Sequence, residues 1–406
     1  MAIVVQKYGG SSVADAEKVK NVARRVAHAR EEGNQVVVVV SAMGDTTDEL
    51  LALAASLTTS PSRREMDLLL STGEIVTSAL LAMTLAEMGC SAISLTGAQA
   101  GIRTDAAHSR ARITKVETQR IRRELDKGNV VVVAGFQGVS EEMDTTTLGR
   151  GGSDTTAVAL AVGLGADLCR IYTDVEGIYT ADPRLIPQAR KLAEISYEEM
   201  LEMANYGARV MHSRAVELGQ IYDMPIQVAS SFTQTPGTLI QGEIPMEVKN
   251  KVRGIAHDMD LSKITVLGVP DKPGIAAAIF SGLAEAGVSV DTIVQNASTE
   301  NITDLSFTVS KGDVAAAMRV IEPVCREVGA REWLSEDGLG MVSIVGSGMQ
   351  NTPGYAAKMF QTLADAGINI QLITTSEIRI SCIIDAAQVK DAVKALHRAF
   401  ELETDS

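Results

Sequence analysis

Four cysteines are spread over 406 residues, at Cys90, Cys169, Cys325 and Cys382, and no two are close in the chain. That scatter excludes a disulfide framework and a cysteine-based metal knot, and reduced thiols of this kind point to the cytoplasm. The five histidines, His28, His108, His212, His257 and His397, show no ligand spacing, so no zinc site is expected. No uninterrupted apolar run approaches the roughly 18 residues of a membrane span. The first residues run straight into a strand-like segment without a charged leader, which argues against secretion and against a membrane partner. Positive charge is in deficit: 37 Lys and Arg face 51 Asp and Glu, a net −14, which disfavours nucleic acid as a partner. A local cationic pocket is still allowed. Three signatures are also missing. No Gly-x-x-x-x-Gly-Lys-Ser/Thr, no Gly-x-Gly-x-x-Gly after a strand and no nucleophile elbow occurs. P-loop, dinucleotide-binding and serine-hydrolase chemistry are thereby disfavoured.

What is present is an ordinary globular composition, 46% apolar and 22% charged, long enough for two or three domains. Up to about residue 230, short β-branched runs alternate with helical patterns. Ile3–Gln6, Val36–Val40, Ile93–Leu95, Val130–Phe136, Leu168–Tyr172 and Ile226–Val228 read as strands. Val13, Ala16, Val19, Val22, Ala23 and Val26 share one helical face, and Ser78–Met88 and Thr114–Lys127 read as further helices. This alternation predicts an α/β fold with a mostly parallel sheet covered on both faces, and ligands at the carboxyl ends of its strands. Lys7-Tyr8-Gly9-Gly10-Ser11-Ser12 and Gly149-Arg150-Gly151-Gly152-Ser153-Asp154-Thr155-Thr156 each follow such a strand and precede a helix. Glycine-rich turns with a cation and hydroxyls present free N–H groups to an anion. Two of them in one domain suggest two anionic ligands held face to face, as phosphoryl transfer to a small acidic metabolite requires.

Residues 232–250 are turn-rich and mark a domain boundary. Beyond them lies an internal repeat with a constant offset of 80 residues: Pro273-Gly274 recurs as Pro353-Gly354, Phe280 as Phe360, Leu283-Ala284 as Leu363-Ala364 and Ala286-Gly287 as Ala366-Gly367. Each copy reads as strand, tight turn, helix, glycine C-cap and strand, a βαββαβ unit. Asp271-Lys272-Pro273-Gly274 leads into a helix start able to receive an α-carboxylate, and Gln295-Asn296 and Asn369-Ile370 follow the two helices with amides that could read a small polar ligand.

The two glycine turns, with Ser41-Ala42-Met43-Gly44 and Thr173-Asp174-Val175-Glu176-Gly177-Ile178-Tyr179-Thr180-Ala181-Asp182-Pro183-Arg184, resemble the signature segments of the aspartate kinase family, in the family's order. The C-terminal repeat resembles its paired ACT domains. The resemblance implies a three-layer α/β/α amino-acid-kinase domain at 1–245, a first ACT domain at 262–337 and a second at 338–406, the latter completed by a strand from 250–261. It implies transfer of a phosphoryl group from ATP, with Mg²⁺ carried by the nucleotide and no protein side chain as metal ligand, to the side-chain carboxylate of L-aspartate. That is the first step toward lysine, threonine and methionine.

The roles it implies are specific. Lys7 contacts the transferring group, with Gly9, Gly10 and Ser11 on the phosphates, and Asp154 orients Lys7. Ser41 and Thr47 line the cleft. Glu74 holds the substrate ammonium and Arg150 its α-carboxylate, in a turn completed by Gly151, Gly152 and Ser153. Glu74 could equally belong to an ordinary helix start at Ser71. Thr173, Asp174, Tyr179, Asp182, Arg184 and Arg209 surround the nucleotide, although Arg209 stands where many members carry lysine. Asp271, Gly274, Ile275, Ala276, Gln295, Asn296, Asn369, Ile370, Ser376 and Glu377 match an inhibitor surface for lysine or threonine. Such surfaces form between two units, so a homodimer or larger assembly is expected, and an internal start at Met246 would yield a separate regulatory subunit. Two other readings remain open at this level: a kinase of the same fold acting on glutamate, acetylglutamate or a nucleotide, and an amino-acid sensor without catalysis. The paired module and Thr46-Thr47-Asp48 weigh against the first; Lys7, Arg150 and Asp154, all present, weigh against the second.

Overall fold

The computed structural model describes residues 1–208, 210–242, 252–296, 301–350 and 352–403, in two compact units. The first comprises Met1–Tyr179, Lys191–Asn205 and Arg209–Glu247; the second comprises Thr180–Arg190, Tyr206–Ala208 and Val248–Ser406. Arg209 and Met246 lie outside the described residues.

In chain order the first unit holds β1 (Ile3–Tyr8), α1 (Ala16–Glu31), β2 (Gln35–Val40), α2 (Thr46–Leu57), α3 (Arg63–Glu87), β3 (Ala92–Leu95), β4 (Ile102–Thr104), β5 (Ile113–Val116), α4 (Gln119–Asp126), β6 (Val130–Ala134), β7 (Gln137–Val139) and β8 (Thr145–Thr147). It continues with α5 (Gly152–Leu164), β9 (Leu168–Thr173), β10 (Glu194–Ser196), α6 (Tyr197–Asn205), α7 (Ser213–Ile221), β11 (Ile226–Ser230) and β12 (Thr238–Gln241). Eight strands form one sheet in the order β10-β12-β11-β9-β1-β2-β6-β3, parallel throughout except where β11 meets β12. The valine run of β2 is buried because both faces of the sheet are covered. Val36, Val38 and Val40 pack under Val22 and Val26 of α1 and Leu81 and Leu85 of α3. The largely buried α5 lies against β1, β2 and β9 on the other side. This is the three-layer α/β/α sandwich.

Local structure departs from the periodicity in four places. Residues 114–116 belong to β5, not to the helix expected over Thr114–Lys127: the β-branched Ile113 and Val116, with Lys115, pair antiparallel with β4, and the helix begins only at Gln119. The helix expected over Ser78–Met88 starts at Arg63, after Pro61 and the N-cap Ser62, so Ser71–Glu74 lies in a helix interior and is not a helix start. Its length and composition would suit a membrane span, yet half of the apolar stretch is buried in this fold. The stretch 232–250, expected to be linker, contributes β12 to the sheet. A second sheet, β5-β4-β7-β8, had no clear period-2 signal in strands of three or four residues, yet it delivers the chain to Gly149.

The second unit is built on one antiparallel sheet ordered β14-β15-β13-β16-β18-β17. Its elements are β13 (Gly254–Pro270), α8 (Ile275–Glu285), β14 (Ile293–Gln295), β15 (Ile302–Val309), α9 (Val314–Val328), β16 (Glu332–Val345), α10 (Tyr355–Asp365), β17 (Leu372–Thr375), β18 (Arg379–Asp385) and α11 (Val389–Ala399). The two repeats share their long strands. Gly254–Asp258 of β13 pairs with Met341–Val345 in the second repeat, while Ser262–Pro270 pairs with β15 in the first. Each repeat buries its own core: Ile264, Ile279, Leu283 and Phe307 in one, Ile344, Met359, Leu363 and Leu396 in the other. The helices α8 and α10 open on Gly274 (φ 98°) and Gly354 (φ 106°), and Gly287 and Gly367 follow them at φ 73° and 69°. Glycine carries little penalty in that conformation, which is why the repeat keeps it.

Leu81 has no exposed surface. Leu81→Ala is expected to destabilise the first unit by about 2–5 kcal/mol in urea unfolding followed by far-ultraviolet circular dichroism. Leu80→Ala, on the 40%-exposed neighbour, is expected to stay within about 0.5 kcal/mol of the parent.

Candidate active site

The carboxyl edge of the parallel sheet is stitched by backbone hydrogen bonds that put the motif segments side by side. Ser231 N–H donates to Thr173 O (2.9 Å), Gly9 N–H to Tyr172 O (3.3 Å), Ser41 N–H to Tyr8 O (3.1 Å) and Gly135 N–H to Val40 O (3.0 Å). Across this edge Lys7 Nζ meets Asp154 Oδ1 at 2.6 Å, both side chains about nine-tenths buried. Asp154 stands in the first turn of α5, where N–H groups without helical partners and the helix dipole favour negative charge.

Gly9 and Gly10 serve two purposes. The Gly9 N–H is spent on Tyr172, leaving Gly10 and Ser11 to present first-turn N–H groups at the start of a short 3₁₀ turn. A Cβ on Gly10 would come 2.9 Å from Ala42 O, so the turn after β1 lies directly on the Ser41–Gly44 turn. Thr47 follows in the first turn of α2 and is half-buried. Tyr8 and Tyr172 stack beneath this floor with ring centroids 4.8 Å apart.

Glu74 is the most informative carboxylate. It is 3% exposed; Oε1 accepts from Ala42 N–H at 3.1 Å, while Oε2 is buried with no hydrogen-bond partner. Burial pushes its carboxyl up to about 7. Because its folded pKa lies above the unfolded value of 4.5, its contribution to stability is fully present below pH 4.5 and is lost as pH rises through about 7. A buried oxygen that lacks a donor and destabilises the empty fold is an unmet demand for a cation.

Arg150 is exposed, flanked by Gly149 at φ 77° and Gly151 at φ 66°. The half-buried His212 ring lies over Gly151 so closely that a Cβ there would be 2.2 Å from it. His212 Nδ1 accepts from Arg214 N–H (3.3 Å), and burial holds its pKa below the usual imidazole value, with nearby Asp154 opposing. Gly135 makes the matching approach on the other side, where a Cβ would be 2.8 Å from Ser153 Oγ.

Of the expected nucleotide residues, Thr173 and Asp174 sit at the end of β9 with their side chains bonded to each other (3.0 Å). Tyr179 closes the first unit's segment beside Glu176, and burial with that neighbour's charge raises its phenol. Asp182 and Arg184 pack instead with the second unit, paired through Nη2–Oδ2 at 2.9 Å, and Arg184 is exposed. In the first repeat a cavity of about 370 Å³ is lined by Asp271, Gly274, Ile275, Ala276 and Gln295, joined by Thr303 and Leu305. Asn296 lies beside it and accepts from the Thr303 hydroxyl. In the second repeat Asn369 and Ile370 precede β17 and Ser376 and Glu377 follow it, and Glu377 binds Gln350 at 2.7 Å. Residues that the motifs did not indicate also shape the cleft: Asp67, His212, Arg214 and Ser231. The first was legible in principle, as an aspartate inside an apolar helical stretch one heptad before Glu74.

A parallel sheet whose carboxyl edge holds paired glycine turns, a buried Lys–Asp pair and an exposed Arg defines a small-molecule kinase. The family model for the amino acid kinase family matches residues 2–230, and ACT-domain models match 263–326 and 342–400. The aspartokinase of Mycolicibacterium smegmatis is 51% identical over all of this chain and 97% of its own, and that of Thermus thermophilus is 51% identical over 99% and 100%. The crystal structure of Escherichia coli aspartokinase III with aspartate and ADP superposes with a TM-score of 0.84 at 26% identity, over 98% of this chain and 99% of that one. The same enzyme with lysine and aspartate gives 0.76. The chain belongs to the aspartokinase family.

Gly151→Ala is expected to reduce kcat/KM about a hundredfold or more, because the new methyl must displace His212 or the Arg150 turn. Gly165→Ala carries a similar φ (60°) with no atom within 4 Å, and should lose stability alone. Steady-state kinetics on both variants separate the two effects.

Proposed function

We infer that this protein transfers the γ-phosphoryl group of ATP to the side-chain carboxylate of L-aspartate, giving 4-phospho-L-aspartate and ADP. The buried, donor-free Oε2 of Glu74 carries the reading, for it matches the ammonium of an amino acid as Arg150 matches the α-carboxylate. Held at both ends, the substrate presents its side-chain carboxylate toward Lys7. Its unperturbed pKa is about 3.9, so it is already ionised and no general base is needed. One carboxylate oxygen bonds to the γ-phosphorus as the bond to the β-bridging oxygen of ADP breaks, and no proton changes hands. Lys7 neutralises the equatorial oxygens, Asp154 holds Lys7 at 2.6 Å, and the N–H groups of Gly10, Ser11 and the first turn of α5 face the phosphates. Thr173, Asp174 and Tyr179 border the nucleotide, and Asp182 and Arg184 complete its surroundings. Among the described residues no group of three or more His, Cys, Asp or Glu could hold a metal. Magnesium would be carried by the ATP phosphates and would neutralise their charge.

The cavity of the first repeat takes a free amino acid at the α8 N-terminus, with lysine and threonine as end-product inhibitors of a pathway that begins here. Inhibition needs a coupling free energy of about 1–3 kcal/mol. We assign a kinase domain to 1–245 and ACT domains to 262–337 and 338–406, the second completed by a strand from 250–261; the pairing of Gly254–Asp258 with Met341–Val345 supports the place of that strand. A homo-oligomeric, cytoplasmic enzyme is the assembly we assign, on the exposed apolar strand residues Ile293 and Ile373 and four buried free thiols.

The test is hydroxamate formation from L-aspartate, ATP and Mg²⁺, against L-glutamate and no acceptor, with lysine and threonine added singly and together. Acyl phosphate from aspartate, reduced by an effector, is the expected result; none with any acidic acceptor refutes the enzyme. Lys7→Ala is expected to lose far more than tenfold in kcat/KM, mostly in kcat, and a loss below about 1.4 kcal/mol removes its assigned role. Since Glu74 titrates at about 7, the KM for aspartate should rise roughly tenfold between pH 8 and pH 6. Glu74→Gln should raise KM and flatten that profile.

A further inference from the structure

Asp67 is a carboxylate with no exposed surface in the first half of α3, between Met66 and Leu68–Leu70, and the chemistry described above does not use it. It gathers four donors. Oδ1 accepts the Thr147 hydroxyl at 2.6 Å, and Oδ2 accepts His108 Nδ1 at 2.9 Å and Thr147 N–H at 3.0 Å. The Ser109 N–H is shared between both oxygens at 3.0 Å. A carboxylate only accepts, so the His108 ring donates from Nδ1.

The partners are what make this hub informative. Ser109 has φ 70°, a left-handed conformation that a non-glycine residue holds only when its surroundings impose it. Its carbonyl oxygen lies 3.1 Å from where a Cβ on Gly149 would stand, so the Ser109 turn is the bed on which Gly149 rests. Thr147 is the last residue of β8, three before Arg150. The same two segments are tied again from the far side, where Arg214 donates to Leu148 O (2.6 Å) and Ala111 O (3.0 Å) and Ala111 N–H donates to Thr147 O (2.9 Å). The exposed Arg150 has glycines on both sides, so its position is inherited from this anchorage. On α3, Asp67 and Glu74 are seven residues apart, close to two full turns, and both face inward.

We propose that Asp67 is a positioning residue that sets the separation of the two amino-acid clamps, fixing the Arg150 turn to the helix that carries Glu74. This rests on the assignment of those two residues to substrate carboxylate and ammonium. It goes further, because it makes selection of a four-carbon over a five-carbon diacid a matter of spacing held from behind the site. A methylene is otherwise discriminated only weakly.

The experiment is steady-state kinetics of the full-length enzyme with aspartate and with glutamate, for the parent, Asp67→Asn, Thr147→Val and Asp67→Asn/Ser109→Gly. Asp67→Asn turns an NH₂ toward donors and is expected to raise the KM for aspartate about tenfold, leaving the KM for ATP within about twofold. The preference for aspartate over glutamate should narrow in the same variant. Thr147→Val removes one bond, cannot strain the turn, and should raise the KM for aspartate about threefold. Ser109→Gly accepts φ 70° unaided and should restore part of the aspartate KM in the Asp67→Asn background. Merely structural damage, as in Leu81→Ala, would move neither the selectivity nor the ratio of the two KM values. The proposal is overturned if Thr147→Val and a folded Asp67→Asn keep the parental aspartate KM, if ATP and aspartate KM rise together, or if Ser109→Gly rescues nothing. A parent enzyme that phosphorylates a different acceptor refutes the substrate assignment instead, and the variants then test the spacing on that acceptor.

Discussion

The ion pair between Lys7 and Asp154, 2.6 Å long and largely hidden from water, is the constraint around which the first unit is arranged. Buried pairs of this kind are poor sources of stability, because desolvation offsets much of the attraction. Breaking one leaves an uncompensated charge and costs about 3–5 kcal/mol. Retaining it therefore points to position, not to stability. Lys7 stands next to the end of β1, a central strand of the eight-stranded sheet, and Asp154 stands in the first turn of α5, which packs on that strand. Joining them fixes the two glycine turns against each other, and glycines let neighbouring segments close in: Ala42 O on Gly10, Ser153 on Gly135 and His212 on Gly151. A chain with a net charge of −14 can thus build one compact place for anions, because the attraction is local and made of N–H groups as well as one Lys and one Arg.

The second unit solves a different problem. A single βαββαβ unit leaves sheet edges open, and here two are merged by sharing β13 and β16, each long enough to serve both repeats. β13 keeps β16 as a partner from Gly254 to Leu267, with register shifts between Asp258 and Lys263, and gains β15 on its other edge from Ser262 onward. The segment 180–190 is drawn into this unit as well. Thr180 is fully buried, donates its N–H to Arg190 O (2.8 Å), accepts from Ile255 N–H (2.7 Å) and meets His397 Nε2 at 2.9 Å. The chain that carries Thr173–Tyr179 is continuous with residues whose packing belongs to the repeats.

Much of this was legible in the residues, for identifiable physical reasons. Five consecutive valines announce a strand covered on both faces, and the 80-residue offset announces duplication, since both are long signals. Lys7, Arg150 and Asp154 stood out because glycines beside charge are dense in information. What stayed hidden was local and non-periodic. The strands β4, β7 and β8 are three residues long, too short to show a period, and their existence depends on pairing with one another. Gly73 and the polar Ser71-Thr72 disguised the interior of α3 as a start, because only the packed fold shows that Gly73 sits against Ala42, where a Cβ would be 2.8 Å away. Asp182 and Arg184 lay in a motif that reads continuously in sequence, yet packing divides it at Tyr179.

On the proposed assignment of Glu74 and Arg150 to the two ends of the substrate, the site's asymmetry makes recognition depend on the frame behind it. Glu74 is buried in a rigid helix and aimed by a hydrogen bond from Ala42, whereas Arg150 is exposed in a turn between two left-handed glycines. One clamp is fixed and the other is free to reach. Two such clamps select a ligand length only if the loose one is pinned elsewhere, and pinning it through its own side chain would use up the donors meant for substrate. The pinning has to act on the backbone that leads into Arg150. Asp67 and Arg214 do so from opposite sides, through Thr147 N–H and Leu148 O, leaving the guanidinium itself available. A buried carboxylate with every bond satisfied suits that task, since its bonds are strong and it draws nothing from the ligand.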